Sequence, residues 1–386
     1  MSTYTADCSG VASALYELGG MTVIHDASGC NSTYSTHDEP RWTTMPSAVY
    51  VSALTEMDAV LGNEAHLIDD IVTAAGELSP AFIAIAGTPI PMMTGSDLKG
   101  IARLIEKKTR IPTFAAATTS MRPYSIGAAQ AWIELARRFV MPANPSAGTL
   151  GINLLGATPL DFSIGPMLDS LIGAARRAGY TVNACWAMGS TLETLAASAQ
   201  ARVNVVVSAS GLPLARVFEQ QFGIPYVAGL PVGGLAPRWH AAVEWASKNR
   251  RSVSLADFLG SDAGGMRSAV LGEPLAAACT AAAANLVNPG STRALSPLPS
   301  LGAEAPILTA DLSEDRLRET LRGTEVLAAD PLFDLIAEEA GVSRTVPFPH
   351  EACSGRIWHR DMVNLFDPDA FSRLLGDIGG STQKND

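Results

Sequence analysis

Short apolar runs of strand length recur along this chain with helical patterns between them, and that alternation constrains the fold more than any other feature. The runs are MTVI (21–24), AFIAIAG (81–87), IPTFAAA (111–117), INLLG (152–156), VNVVVSAS (203–210), IPYVAGL (224–230), RSAVLGE (267–273) and APILTAD (305–311). Between them, LKGIARLIEKK, IGPMLDSLIGAARRAG and PLARVFEQQFG repeat apolar residues at three and four, and the last two lead into Gly-Tyr and Gly-Ile, as glycine-capped helices do. Strand, helix, strand repeated in this way predicts parallel sheets covered on both faces. Pro and Gly clusters at MPANPSAG (141–148) and RSVSLADFLGSDAGG (251–265) divide the chain. The fold expected is α/β, with three doubly wound Rossmann-like units at residues 1–147, 148–262 and 263–386, the last ending in a helix. Residues 288–306 have no periodicity and read as a loop within the third unit. Ligands of such sheets bind at the carboxyl ends of the strands.

Composition narrows the function. The 386 residues are 47% hydrophobic, enough for a core in each unit, and only 6% aromatic, which suits close helix-on-sheet packing. The net charge is −11 and there is no run of Lys or Arg, so neither a nucleic acid nor a membrane partner is expected. The start, MSTYTADCSG, has no basic or apolar leader character, and no stretch reaches the ~18–20 apolar residues of a membrane span. A cytoplasmic protein is expected. Five scattered cysteines do not make a disulfide framework, and in a reducing compartment an unusual one is better used for metal binding or reactivity.

Two cysteines are unusual. Cys30 follows the first strand on a Ser-Gly turn, and Cys8 lies in the short polar segment TADCSGV. Small neighbours let the backbone approach a bulky inorganic ligand, although both fit equally as ordinary half-buried thiols. Two thiolates do not complete an iron–sulfur cluster that usually takes four, so further ligands would have to come from a second chain. Cys185 and Cys279 sit in apolar contexts and read as core filler. After a strand-like VPF come His350, Glu351, Cys353, Arg356 and His359. These either line a cleft, with Arg356 holding an anionic group, or form a satisfied polar loop before the C-terminal helix. His25 and Asp26 are candidates to tune a cluster by hydrogen bonding, Asp26 more simply as a turn cap. The acids Glu56, Asp58, Glu64, Asp69 and Asp70 either steer a partner or form a solvated face. No G-x-x-x-x-G-K-[ST] loop is present, nor a strand-following G-x-G-x-x-G, so nucleotide hydrolysis belongs elsewhere.

The turn His25-Asp26-Ala27-Ser28-Gly29-Cys30, preceded by Cys8, resembles the H-x-x-x-G-C turn of nitrogenase component 1 and the nitrogenase-like reductases. LTEMDAVLGNEAHL (54–67), IAIAGTPIPMMTGSDLKGIA, GATPLDF, GSTLETL and NVVVSASGLPLARVFEQQFGIPYVAGLPVG resemble further landmarks of that family, in order along most of the chain. The resemblance implies the component 1 architecture and an iron–sulfur cluster, [4Fe-4S] or larger and P-cluster-like, shared with another subunit through Cys8 and Cys30. It also implies a related component 1 subunit as partner, either an α-type chain or a second copy. An ATP-dependent iron protein would deliver electrons, and a small-molecule substrate would sit in the cleft. Two departures limit what carries over. Pro89 stands where the third cluster cysteine is expected, and Ser208 where the α-type subunit anchors its large cofactor. The expected function is therefore a β-type subunit of a nitrogenase-like reductase, with methylthio-alkane C–S reduction as the reaction. A homodimeric tetrapyrrole-type reductase with a shared [4Fe-4S] cluster and a cofactor-assembly scaffold are the alternatives.

Overall fold

A computed structural model describes residues 4–27, 33–34, 36, 38–46, 48–62, 64–145 and 148–380. Three sheets organise it, and every strand pairing within them is parallel. The first holds β1 (Met21–His25), β2 (Ala48–Val51), β3 (Ile83–Gly87) and β4 (Thr113–Ala116) in the order β2-β1-β3-β4. The second holds β5 (Gly151–Ala157), β6 (Thr181–Ala187), β7 (Val203–Val206) and β8 (Tyr226–Ala228) in the order β6-β5-β7-β8. The third holds β9 (Ser268–Leu271), β10 (Thr292–Leu295), β11 (Leu308–Thr309), β12 (Val326–Ala329) and β13 (Arg344–Pro347) in the order β11-β10-β9-β12-β13.

In each sheet the chain enters at an inner strand, adds a neighbour on one side and then crosses to the other. Beside β1, β5 and β9 the strand order reverses, which opens a crevice beyond their carboxyl ends. Central strands such as Val203–Val206 are buried along their whole length, as sheets covered on both faces require. One apolar core runs from Cys8 through Val205 to Ile378, and smaller clusters cover the outer faces of the first and third sheets.

Two expectations are corrected here. The stretch 288–306, read as a loop, contains β10, an inner strand whose pattern is broken by half-buried Arg293 and hidden among Pro and Gly. The segment around Cys8, read as short and polar, is the helix α1 (Asp7–Leu15), and all nine of its residues are buried. Its small side chains allow backbone-to-backbone contact with the helix Tyr124–Phe139. A Cβ on Gly10 would lie 2.0 Å from the Tyr124 carbonyl oxygen, and one on Gly127 would lie 1.8 Å from that of Asp7. Among the described residues no helix is long and apolar enough to cross a membrane.

Candidate functional site

The carboxyl ends of β5, β9, β12 and β13 converge on a buried polar cluster. Past β5, Thr158 caps a short helical turn by accepting from the Asp161 amide, which holds Asp161 inward. The Tyr124 hydroxyl, at the start of its helix, donates to Asp161 Oδ1, and His350 Nε2 lies 3.3 Å from the same oxygen. His350 follows β13, and its backbone N–H donates to Asp330 Oδ2 at 2.8 Å, just past β12. Glu273 follows β9 and caps the helix Pro274–Val287 by accepting from Ala276 N at 2.8 Å. Its other oxygen accepts from Ala209 N at 2.7 Å, which fastens the third sheet to the end of β7. His359 Nδ1 stands 3.0 Å from Glu351 Oε2 and 2.9 Å from Ser163 Oγ.

Burial, and then the charge of Asp161, pushes the Glu273 carboxyl up to about 8 against the backbone N–H groups that favour its ionised form. The same two causes, in the same order, raise the Tyr124 phenol far above its usual range. The cavity enclosed by Asp161, Glu273, His350 and the stacked rings of Phe162 and Phe366 measures about 30 Å³. That holds about one water molecule, not a cofactor of many heavy atoms. Ser208, where a cofactor-anchoring thiol is expected in an α-type chain, is fully engaged. Its hydroxyl donates to the Gly156 carbonyl at 2.7 Å and lies 2.6 Å from Ser210 Oγ.

The sulfur corner lies in the first unit. Asp7, fully buried in the first turn of α1, accepts from Ser120 N at 2.7 Å and Thr119 N at 3.2 Å, and pairs with Arg122 Nε at 3.1 Å. Ser120 is thereby held at φ +56°, a left-handed conformation unusual for serine, with its hydroxyl donating to Cys8 Sγ at 2.9 Å. Burial pushes the Cys8 thiol up to about 12, partly offset by that hydrogen bond. Cys30 lies outside the described residues. At the neighbouring strand ends, His25 Nδ1 is 2.8 Å from Ser52 Oγ, and Thr88 Oγ1 donates to the His25 carbonyl at 2.9 Å. Desolvation holds the His25 imidazole below its usual range. Asp26 accepts from the next amide, Ala27 N, at 2.8 Å. Pro89 opens the helix Pro89–Thr94 and offers no donor atom for a metal.

A separate, wider cleft of about 760 Å³ opens between the N-terminal segment, the 120–123 turn and the 351–357 turn. Cys353 lines it, and so do Ser120 and Tyr34 beside Cys8. The structure therefore separates the expected cleft residues: His350 faces the small inner cavity and Cys353 the outer cleft. Arg356 lies in the short 3-10 helix Gly355–Ile357, and its side chain falls outside the described residues. Cys185 and Cys279 are core residues.

Among the described residues no three His, Cys, Asp or Glu side chains group as metal ligands. Iron–sulfur clusters select thiolates. By its donor chemistry the described part of the chain therefore fits as a contributor to a shared shell, through Cys8, and not as a complete one. Sequence reading missed Tyr124, Asp161, Glu273 and Asp330. A usable signal was present for two of them: in LGEP and AADP an acid at a strand end directly precedes the proline of the next helix.

The family model described as nitrogenase component 1 type oxidoreductase matches residues 9–240. One of the subunits of light-independent protochlorophyllide reductase in Nostoc punctiforme is 26% identical over 181 residues, 45% of this chain and 36% of that protein. The nitrogenase iron-molybdenum cofactor biosynthesis protein NifE of Bradyrhizobium diazoefficiens is 26% identical over 186 residues, 47% of this chain and 33% of that protein. The matched stretches thus span about a third of those relatives. Among solved structures, "Nitrogenase Cp1 at pH 6.5" superposes with a TM-score of 0.69 at 15% identity, covering 98% of this chain and 92% of the other, a likeness of fold.

Proposed function

The chain belongs to the nitrogenase component 1 type oxidoreductases, and from that premise we propose that it is the β-type subunit of a nitrogenase-like two-component reductase. Cys8 and Cys30 would supply thiolates to an iron–sulfur cluster, [4Fe-4S] or larger, completed by a related subunit. When bound, that cluster supplies one-electron transfer between an ATP-dependent iron protein and a substrate site in the partner. The residues of this chain do the holding. Asp7 fixes the turn that presents Ser120, and the Ser120 hydroxyl meets the Cys8 sulfur. The close approach of α1 to the Tyr124 helix sets the position of that sulfur.

The observation that supports the β-type reading best is the closed interior. With about 30 Å³ between Asp161, Glu273 and His350, and with Ser208 bound to main chain, that inner cavity has no room for a large cofactor. The substrate proposed is a methylthio-alkane, whose C–S bond takes two electrons and two protons to give a thiol and a hydrocarbon. The test is anaerobic turnover of the chain with its partner, iron protein and ATP on ethyl methyl sulfide, read as methanethiol and ethane. Ethane formation that is lost with Cys8→Ala supports the proposal. Absence of ethane while a tetrapyrrole is reduced by the chain with the iron protein and ATP, but without a partner subunit, favours the homodimeric reading; the likeness to a protochlorophyllide reductase chain supports its tetrapyrrole substrate. A cluster that moves to an acceptor protein without turnover favours the scaffold reading, which the likeness to NifE supports.

A further inference from the structure

A further cleft, of about 340 Å³, opens at the carboxyl ends of β1 and β2, with His25 and Ser52 in its lining. His25 ends β1 on the face that Met21 and Val23 share with Leu67 and Ile71 of the helix Glu64–Leu78, whereas Ile24 belongs to the core of Cys8 on the other face. The first sheet therefore stands between this cleft and the Cys8 sulfur. His25 is 4% exposed. Ser52 Oγ accepts from Asp26 N at 3.1 Å and donates to the Asp26 carbonyl at 3.2 Å, which assigns the proton of its 2.8 Å contact with His25 to Nδ1 and leaves Nε2 as an acceptor. Among the described residues Nε2 meets no donor, and unlike Nδ1 of His350 it is not sealed from solvent. Asp58 and Glu64 line the same cleft, His66 stands 4.0 Å from Asp58 Oδ2, and the described lining holds no Lys or Arg. Burial lowers the His25 pKa and the charges of Asp26 and Asp58 oppose it, so the Asp58 carboxylate is within electrostatic reach of the imidazole. An imidazole acceptor beside two carboxylates is complementary to a positively charged ligand rich in N–H donors. The volume lies at the small end of the range of small-molecule pockets.

We propose that this cleft binds a small organic cation of the guanidinium class, its N–H donors on His25 Nε2 and the carboxylates of Asp58 and Glu64, and its alkyl stem against Leu54 and Leu67. A guanidinium presents five N–H donors in a planar fork, so it meets an imidazole and a carboxylate together. Binding needs neither Cys8 nor iron, so its failure and that of the shared cluster are distinguishable.

The test titrates the full chain calorimetrically near neutral pH with propylguanidinium and with propylurea, an uncharged analogue of the same shape. Location is read from the carbethoxylation of His25 by diethyl pyrocarbonate, followed by mass spectrometry. The expected result is at least tenfold tighter binding of the guanidinium, protection of His25 by the guanidinium and not by the urea, and at least fivefold weaker binding in Asp58→Asn and in Glu64→Gln. Asp58 also accepts from the Thr55 hydroxyl that caps its helix, so the half-buried Glu64 supplies the readout if Asp58→Asn does not fold. Equal or tighter binding of the urea, no guanidinium binding, an unprotected His25, or full affinity in either folded variant would each overturn the proposal.

Discussion

At the scale of single residues, Glu273 carries the clearest pH signature. Its carboxyl is raised from an ordinary value of 4.5 to about 8, so between those values the folded state holds a proton that the unfolded state has lost. Stability from this group is full below about pH 4.5 and falls as pH rises toward 8. Denaturant midpoints taken at pH 5 and pH 8 should therefore show a drop that is smaller in Glu273→Gln, and an unchanged drop would contradict the assignment. Such a residue was hard to read in advance because its partners, Ala209 and Asp161, lie more than sixty positions away in the chain. Cys185 and Cys279 were legible as core because their apolar neighbours state burial directly, whereas Cys8 was not. A thiol among Ser and Gly reads as polar until the packing of α1 is known.

At the scale of elements, the contact between α1 and the Tyr124 helix sets the Cys8 position. Gly127→Ala would drive a methyl group to 1.8 Å from the Asp7 carbonyl oxygen, forcing the helices apart. We expect a loss of about 1–3 kcal/mol by chemical denaturation, with an unchanged midpoint counting against the packing described. The runs that became β1, β3, β5 and β7 were legible because strands buried on both faces are nearly all apolar. β10 was not, since Arg293 interrupts it. The run APILTAD contributes only the two residues of β11.

At the scale of the whole molecule, Arg41 ties the loop after β1 to α1 and to the second sheet. It is buried, pairs with Glu39 Oε1 at 2.6 Å and Glu17 Oε1 at 2.8 Å, and donates to the Ser13 carbonyl at 2.7 Å and the Ala187 carbonyl at 3.4 Å. Glu17 in turn accepts from Gly189 N at 2.7 Å. Arg41→Met would leave buried carboxylates without their cation and should cost about 3–5 kcal/mol, measured as a lower denaturant midpoint. Since this clamp holds the helix bearing Cys8, it bears on the proposed cluster as well. The most direct measurement is the iron and sulfide content of the complex purified without oxygen, for the parent chain and for Cys8→Ala, with Cys353→Ala as control. Iron present in the parent and the control but lost in Cys8→Ala is the predicted result; no iron in the parent, or equal iron in all three, would contradict the shared cluster.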